Sequence, residues 1–318
     1  MRLSLLLFAA LVAPSIAAPA PGCNAILQHW LYSSQIDDKA LAIMDRSDIV
    51  GVQALYSWKS LEQAEGKYNF SNIQGDLDVV RAKGKKLWIQ LQDRSFNPKM
   101  DPVPKYMKTP FYSNGSAPTC DGDNCEADFQ LSGWAAQQWI PAVRKRYQAL
   151  LKALAEKFDG KVYGLNLPET SIEVNQSANG YTNEGYFNGE LENAGYAAEV
   201  FKETYVVQYV NFWADGWADD NNRFTDSFNY FAIHGVGVGG PDLIPNKTAQ
   251  VKNSYPFLTG YHDKVPITVV AVQEPDLAEK NPKTGKQFTK TEFVDYAVNV
   301  LKVRIIFWAA SSPWLAGN

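Results

Sequence analysis

Histidine is scarce in this chain. There are three in 318 residues, His29, His234 and His262, with no His-x-His pair and no HExxH motif. Metal-dependent barrel hydrolases draw on several imidazoles, so a zinc mechanism is disfavoured and neither metal nor cofactor is expected. No G-x-S-x-G elbow occurs, which weakens a Ser-His-Asp reading. No glycine-rich turn follows the first strand candidate, as an open dinucleotide-binding sheet would show. The run Val236-Gly237-Val238-Gly239-Gly240 comes late, meets Pro241-Asp242 and reads as a tight strand end. Long basic runs are absent and the net charge is −4, so no nucleic-acid partner is expected.

Long apolar runs are equally few. One lies at the N-terminus, where Arg2 precedes LSLLLFAALVA and small residues follow, with Ser15-Ile16-Ala17 and Ala18-Pro19-Ala20 as cleavage candidates. It is too short to span a bilayer and reads as an export signal over residues 1–20. With no other run of membrane length, the expectation is a secreted or periplasmic protein without a membrane span, monomeric, with one domain over residues 21–318. Cysteine is sparse too: Cys120 and Cys125 are close enough in TCDGDNCEAD for a local disulfide in an exported chain, and Cys23 is left over. Ala20-Pro21-Gly22 is a poor match to a lipoprotein signal. The acids Asp121, Asp123, Glu126 and Asp128 lack the full EF-hand spacing and read as a solvated loop.

What the chain does have is aromatic residues and strand-forming runs. Nine Trp, sixteen Tyr and sixteen Phe exceed what a core alone calls for and suit a surface that stacks on flat rings. Strand candidates are residues 25–31, 49–58, 86–93, 161–169, 205–213, 234–242, 266–274 and 303–310. Each is rich in β-branched or aromatic residues, and most are continuously apolar, as in parallel strands covered on both faces. Helical spacing fills the gaps. Ser71-Asn72-Ile73-Gln74 reads as a capping box before Ile73, Leu77 and Val80, with Gly84 as the stop. A helix from Pro141 presents Val143, Tyr147, Leu150, Leu151, Leu154 and Phe158 and ends at Gly160, and Phe293, Ala297, Val300 and Leu301 line another. Eight such units make an α/β chain folded as a (β/α)8 TIM barrel. Only ten residues follow Trp308, two of them Pro313 and Gly317, so the eighth helix is expected to be incomplete. The N-terminal segment would cover that gap, or it would stay thin.

In such a barrel the C-terminal strand ends share one face, where chemistry collects. The sequence places there His29 and Trp30, Tyr56 and Trp58, Gln92, Asp93 and Arg94, Glu169 with Glu173 beyond it, Asn211 and Trp213, Asp242, Gln273 and Glu274, and Trp308. Amides and carboxylates hydrogen-bond hydroxyls and indoles stack on sugar rings, so the set points to a poly- or oligosaccharide. Glu169 and Glu274 end strands on opposite sides of the mouth, as cleavage of a glycosidic bond by an acid and an ionised partner needs. Asp93, Asn211, Trp213, Gln273, Trp308, Trp58 and His29 are candidate substrate contacts; Tyr56 lines the pocket or packs inward. Trp88, in mid-strand, reads as core.

Three stretches resemble the clan of retaining (β/α)8 glycoside hydrolases that includes cellulases and β-galactosidases. They are YSWKSLEQAEGKYNF at 56–70, the helix with Tyr147, Leu150, Leu154 and Phe158 that runs into a strand ending at a glutamate, and a seventh strand ending at a glutamate. The resemblance implies Glu169 as acid/base and Glu274 as nucleophile. Pro168 stands where that clan usually has Asn, and Asn166 lies two residues further back. That departure and the missing helix motivate the alternative, a barrel that binds carbohydrate without cleaving it or serves as a scaffold in an exported assembly.

Overall fold

A computed structural model describes residues 27–120, 125, 129–175 and 180–316. The expected export segment, Cys23 and the acids Asp121, Asp123, Glu126 and Asp128 lie outside the described residues. Eight parallel strands close into a barrel: β1 (Gln28–Ser33), β2 (Ile49–Ser57), β3 (Lys86–Gln92), β4 (Gly164–Leu167), β5 (Tyr205–Tyr209), β6 (Gly237–Gly240), β7 (Thr268–Val272) and β8 (Ile305–Ala309). Each pairs with its sequence neighbour, and β8 closes on β1 with Trp30 opposite Phe307. The expected (β/α)8 barrel is therefore present.

The barrel interior is a packed cluster of Trp30, Trp88, Val207, Tyr209, Val269 and Phe307. Trp88 is fully buried there and fits because β4 begins with Gly164, where a Cβ would lie 2.4 Å from the Trp88 ring. Outside the sheet run α1 (Asp38–Met44), α2 (Ser71–Ala82), α3 (Pro141–Phe158), α4 (Asn183–Val200), α5 (Arg223–His234), α6 (Ser254–Tyr261) and α7 (Lys290–Asp295). The buried face of α3 is the stripe expected from its spacing, from Val143 to Phe158. Gly84 after α2 takes φ +69°, the left-handed stop that a glycine accepts without strain. The capping box at Ser71 does not form. Ser71 is already inside the helix, its N–H bonds the Asn69 side chain, and the Gln74 amide turns to Asp78.

Among the described residues no eighth helix follows β8. A single turn, Pro313–Leu315, takes its place, and the Trp314 ring packs edge-on against Trp308 at 4.9 Å between centroids. Phe293 and His29 complete the cover over Trp308, which is fully buried. The gap is thus closed from the C-terminal side. Among the described residues no helix is long and apolar enough to cross a membrane.

Two excursions shape the C-terminal face. After β3 the chain forms a three-stranded antiparallel sheet (Arg94–Ser95, Ser116–Cys120 and Leu131–Ala136), with Cys120 and Cys125 paired in a disulfide. After β5 it makes a tight loop, residues 213–222, before α5.

Candidate active site

The barrel mouth holds a cavity of about 410 Å³, reaching from Tyr32 at the end of β1 to Gln273 after β7. Leu55 and Ser57 of β2, Gln90 and Gln92 of β3, Arg94, Glu169, Tyr209 and Pro241 complete its floor and walls. Phe96, Met100 and Pro102, from the excursion after β3, form one side. This excursion thus walls the cleft at these residues.

Glu169 follows β4 after one residue, Pro168. Its carboxylate accepts from the Asn211 side-chain amide at 3.1 Å, and the same nitrogen donates to Asp242 at 3.2 Å. One amide therefore brings two carboxylates within roughly 6 Å of each other. Burial pushes the Glu169 carboxyl up to about 7; the Asp242 charge adds to this, while Asn211 and Arg94 oppose it. Asp242 rises to about 6, mainly through burial, against the Asn211 hydrogen bond and Lys247. Behind them Asp276 rises to about 8, for burial and for the Asp242 charge. It accepts from the Gln273 backbone N–H at 2.8 Å, while the Gln273 side chain donates to the Pro241 carbonyl at 2.9 Å. Among the described residues no group of three or more His, Cys, Asp or Glu is placed to hold a metal ion.

Of the expected site residues, the structure gathers Glu169, Asn211 and Gln273 at the mouth. Asp93 lies beneath it, 1% exposed, bonded to Gln138 at 2.6 Å and paired with Arg94 at 3.3 Å. It holds Arg94, which lines the cavity, and is itself out of reach of a ligand. Glu274 is exposed on the rim as the first residue of a short helix (Glu274–Ala278), where it accepts from Ser311 at 3.0 Å. Its charge raises the Tyr32 phenol on the cavity wall, after burial. Ile267, Val269 and Ala271 point into the barrel, so alternation gives the inward place at the end of β7 to Gln273 and turns Glu274 aside.

The aromatic contacts expected from sequence are corrected by the same alternation. Leu55 and Ser57 face the cavity, so Tyr56 between them faces α2 and donates to Asp76 at 2.6 Å. Trp58 is fully buried, its indole bonded to Glu62 at 2.8 Å. Trp308 faces away from the barrel axis because Phe307 takes the inward place. Trp213 is buried against Phe187 and bonds Ser227, though it backs a second cavity. His29 sits in the first half of β1, which continues to Ser33, so the strand end belongs to Tyr32. There His29 accepts from the Trp308 indole at 3.0 Å, and burial lowers its pKa.

No family model matches the chain, and no curated protein matches it significantly. Solved structures do. A psychrophilic glycoside hydrolase family 10 endo-β-1,4-xylanase superposes with a TM-score of 0.52 at 12% identity, over 90% of this chain and 85% of that one. A glycoside hydrolase family 30 subfamily 8 xylanase from Clostridium acetobutylicum gives 0.50 at 10% identity, over 90% of this chain and 64% of the other. The catalytic domain of the β-amylase from Paenibacillus polymyxa gives 0.47 at 12% identity, covering 89% and 85%. The first two share this barrel fold with the chain; at such identities the likeness concerns the fold.

Proposed function

We propose that this protein hydrolyses O-glycosidic bonds in a poly- or oligosaccharide, with Glu169 as acid/base. The observation that carries the reading is the placement of Glu169: its carboxyl lines the barrel-mouth cavity and shares the Asn211 amide with Asp242, and burial raises it to about 7. A general acid must hold its proton at working pH and deliver it to the leaving oxygen. Glycoside hydrolase barrels among the structural neighbours support the same class, and the local disulfide suits an exported enzyme.

The ionised partner is assigned to Glu274, from its place on the rim after β7, where its charge raises Tyr32 on the cavity wall; its carboxylate accepts from Ser311 and does not itself line the cavity. Asp242 then serves to keep Glu169 protonated. Attack by Glu274 on the sugar carbon would give a glycosyl-enzyme intermediate and retention. Substitution separates the roles. In a reducing-end assay on a polysaccharide panel, Glu169→Gln should lose roughly 100- to 10,000-fold in rate. Glu274→Ala should abolish turnover with folding intact. Should Asp242→Asn abolish turnover instead while Glu274→Ala spares it, Asp242 is the partner. A second reading, sugar binding without cleavage, is favoured by Gln273, an amide, at the inward position of β7. It predicts polysaccharide binding with no release of reducing ends by the wild type.

A further inference from the structure

A second cavity, about 710 Å³, adjoins the segment that follows Glu169. It begins at Ser171, two residues beyond Glu169, and at Phe212, the neighbour of Asn211. Ser171 also accepts from Arg94 at 3.0 Å, so the ridge Glu169–Ser171 separates the two cavities. Trp217 stacks on Phe212 with centroids 5.9 Å apart and planes at 12°, yet remains 51% exposed. An exposed indole backed by a parallel ring is a flat platform for the apolar face of a pyranose.

The loop that carries Trp217 is strained and firmly held. Asp215, Ala218, Asp219, Asn221 and Asn222 all have φ between +53° and +68°, a region costly for residues with a Cβ. Buried Asn253 accepts from the Ala218 N–H at 2.8 Å, Asp219 caps Phe224 and Thr225, and Arg223 grips Asp215 with two nitrogens. These bonds fix the loop in one conformation and so pre-organise the ring. Glu173, Asp215 and Asp220 also line this cavity. Asp215 is already held by Arg223; the carboxylate of Asp220 can accept hydrogen bonds from hydroxyls and repels anionic sugars.

We infer that the second cavity is a binding subsite for a neutral sugar chain, with Trp217 as its platform. The inference rests on the proposed glycosidase reading and extends it. A chain seated in both cavities crosses Glu169 at an internal linkage, which makes the action endo. The test is affinity electrophoresis of the full chain in gels holding xylan, mixed-linkage β-glucan or, as the anionic probe, polygalacturonate. Wild type should be retarded by at least one neutral polymer and not by polygalacturonate. Trp217→Ala should weaken that retardation about tenfold, a loss near 1.4 kcal/mol, with Trp217→Phe in between. Phe111→Ala, another exposed ring, should match wild type. The subsite is overturned if no neutral polymer retards the wild type, or if Trp217→Ala binds like it. Glu169→Gln keeps the two readings apart: full turnover by that variant removes the acid/base assignment, whatever Trp217 does.

Discussion

At the scale of single residues, the site turns on one amide. Asn211 donates to Glu169 and Asp242 together, and the charge on Asp242 helps keep the proton on Glu169. Removing that charge lets Glu169 ionise more readily. Asp242→Asn should therefore move the alkaline limb of the kcat/KM profile, expected near pH 7, toward lower pH. An unmoved limb would show that Asp242 does not tune the acid. Glu169 was legible in the sequence because a carboxylate at the end of an apolar run stands out. The tryptophans misled for a physical reason. When both faces of a strand are covered, by the barrel core and by helices, apolar residues fill both, and composition no longer says which face each one takes. Trp308 and Phe307 are equally buried, but only Phe307 enters the barrel. Tyr32 was missed because the first strand runs two residues beyond the expected end at Leu31, to Ser33.

At the scale of elements, all eight strands were readable, β2 and β3 to within one residue at each end, while the ends of others were not. β4 occupies 164–167 of an expected 161–169, and β6 237–240 of 234–242. Backbone pairing stops where loops turn away, and that depends on tertiary contacts that local propensity does not report. Pro313 was a legible obstacle to a helix after Trp308, but what stands in the helix's place was not. The turn Pro313–Leu315 covers β8 with one ring, Trp314, so this element should be worth more than its length suggests. Trp314→Ala removes the edge contact to Trp308 and opens that buried indole to water. Since Trp314 is only partly buried, the expected cost is about 1–3 kcal/mol, below that of a fully buried tryptophan. Urea unfolding followed by intrinsic fluorescence would measure it, with a red-shifted native spectrum marking the exposure of Trp308. An unchanged midpoint would mean that β8 is covered by other means.

At the scale of the whole molecule, the site is a stability liability with a definite pH signature. Glu169, Asp242 and Asp276 all titrate higher in the folded protein than free carboxylates do, chiefly because burial penalises their charged forms. A carboxyl raised in this way favours folding fully below its unfolded pKa, and that contribution is lost as pH climbs through the folded value. For Glu169 the window runs from about 4.5 to about 7. Glutamine holds the neutral shape at every pH. Glu169→Gln should thus unfold at the same urea concentration as wild type near pH 4, and at a higher one at pH 8. The gap at pH 8 should be on the order of 1–2 kcal/mol, reduced from the full shift because the side chain also meets solvent in the cavity. A variant that is inactive yet more stable at pH 8 is the pattern of a group kept for chemistry at the expense of the fold. Equal midpoints at both pH values would mean that Glu169 ionises like a solvated carboxylate, and a solvated carboxylate has no proton to give at neutral pH.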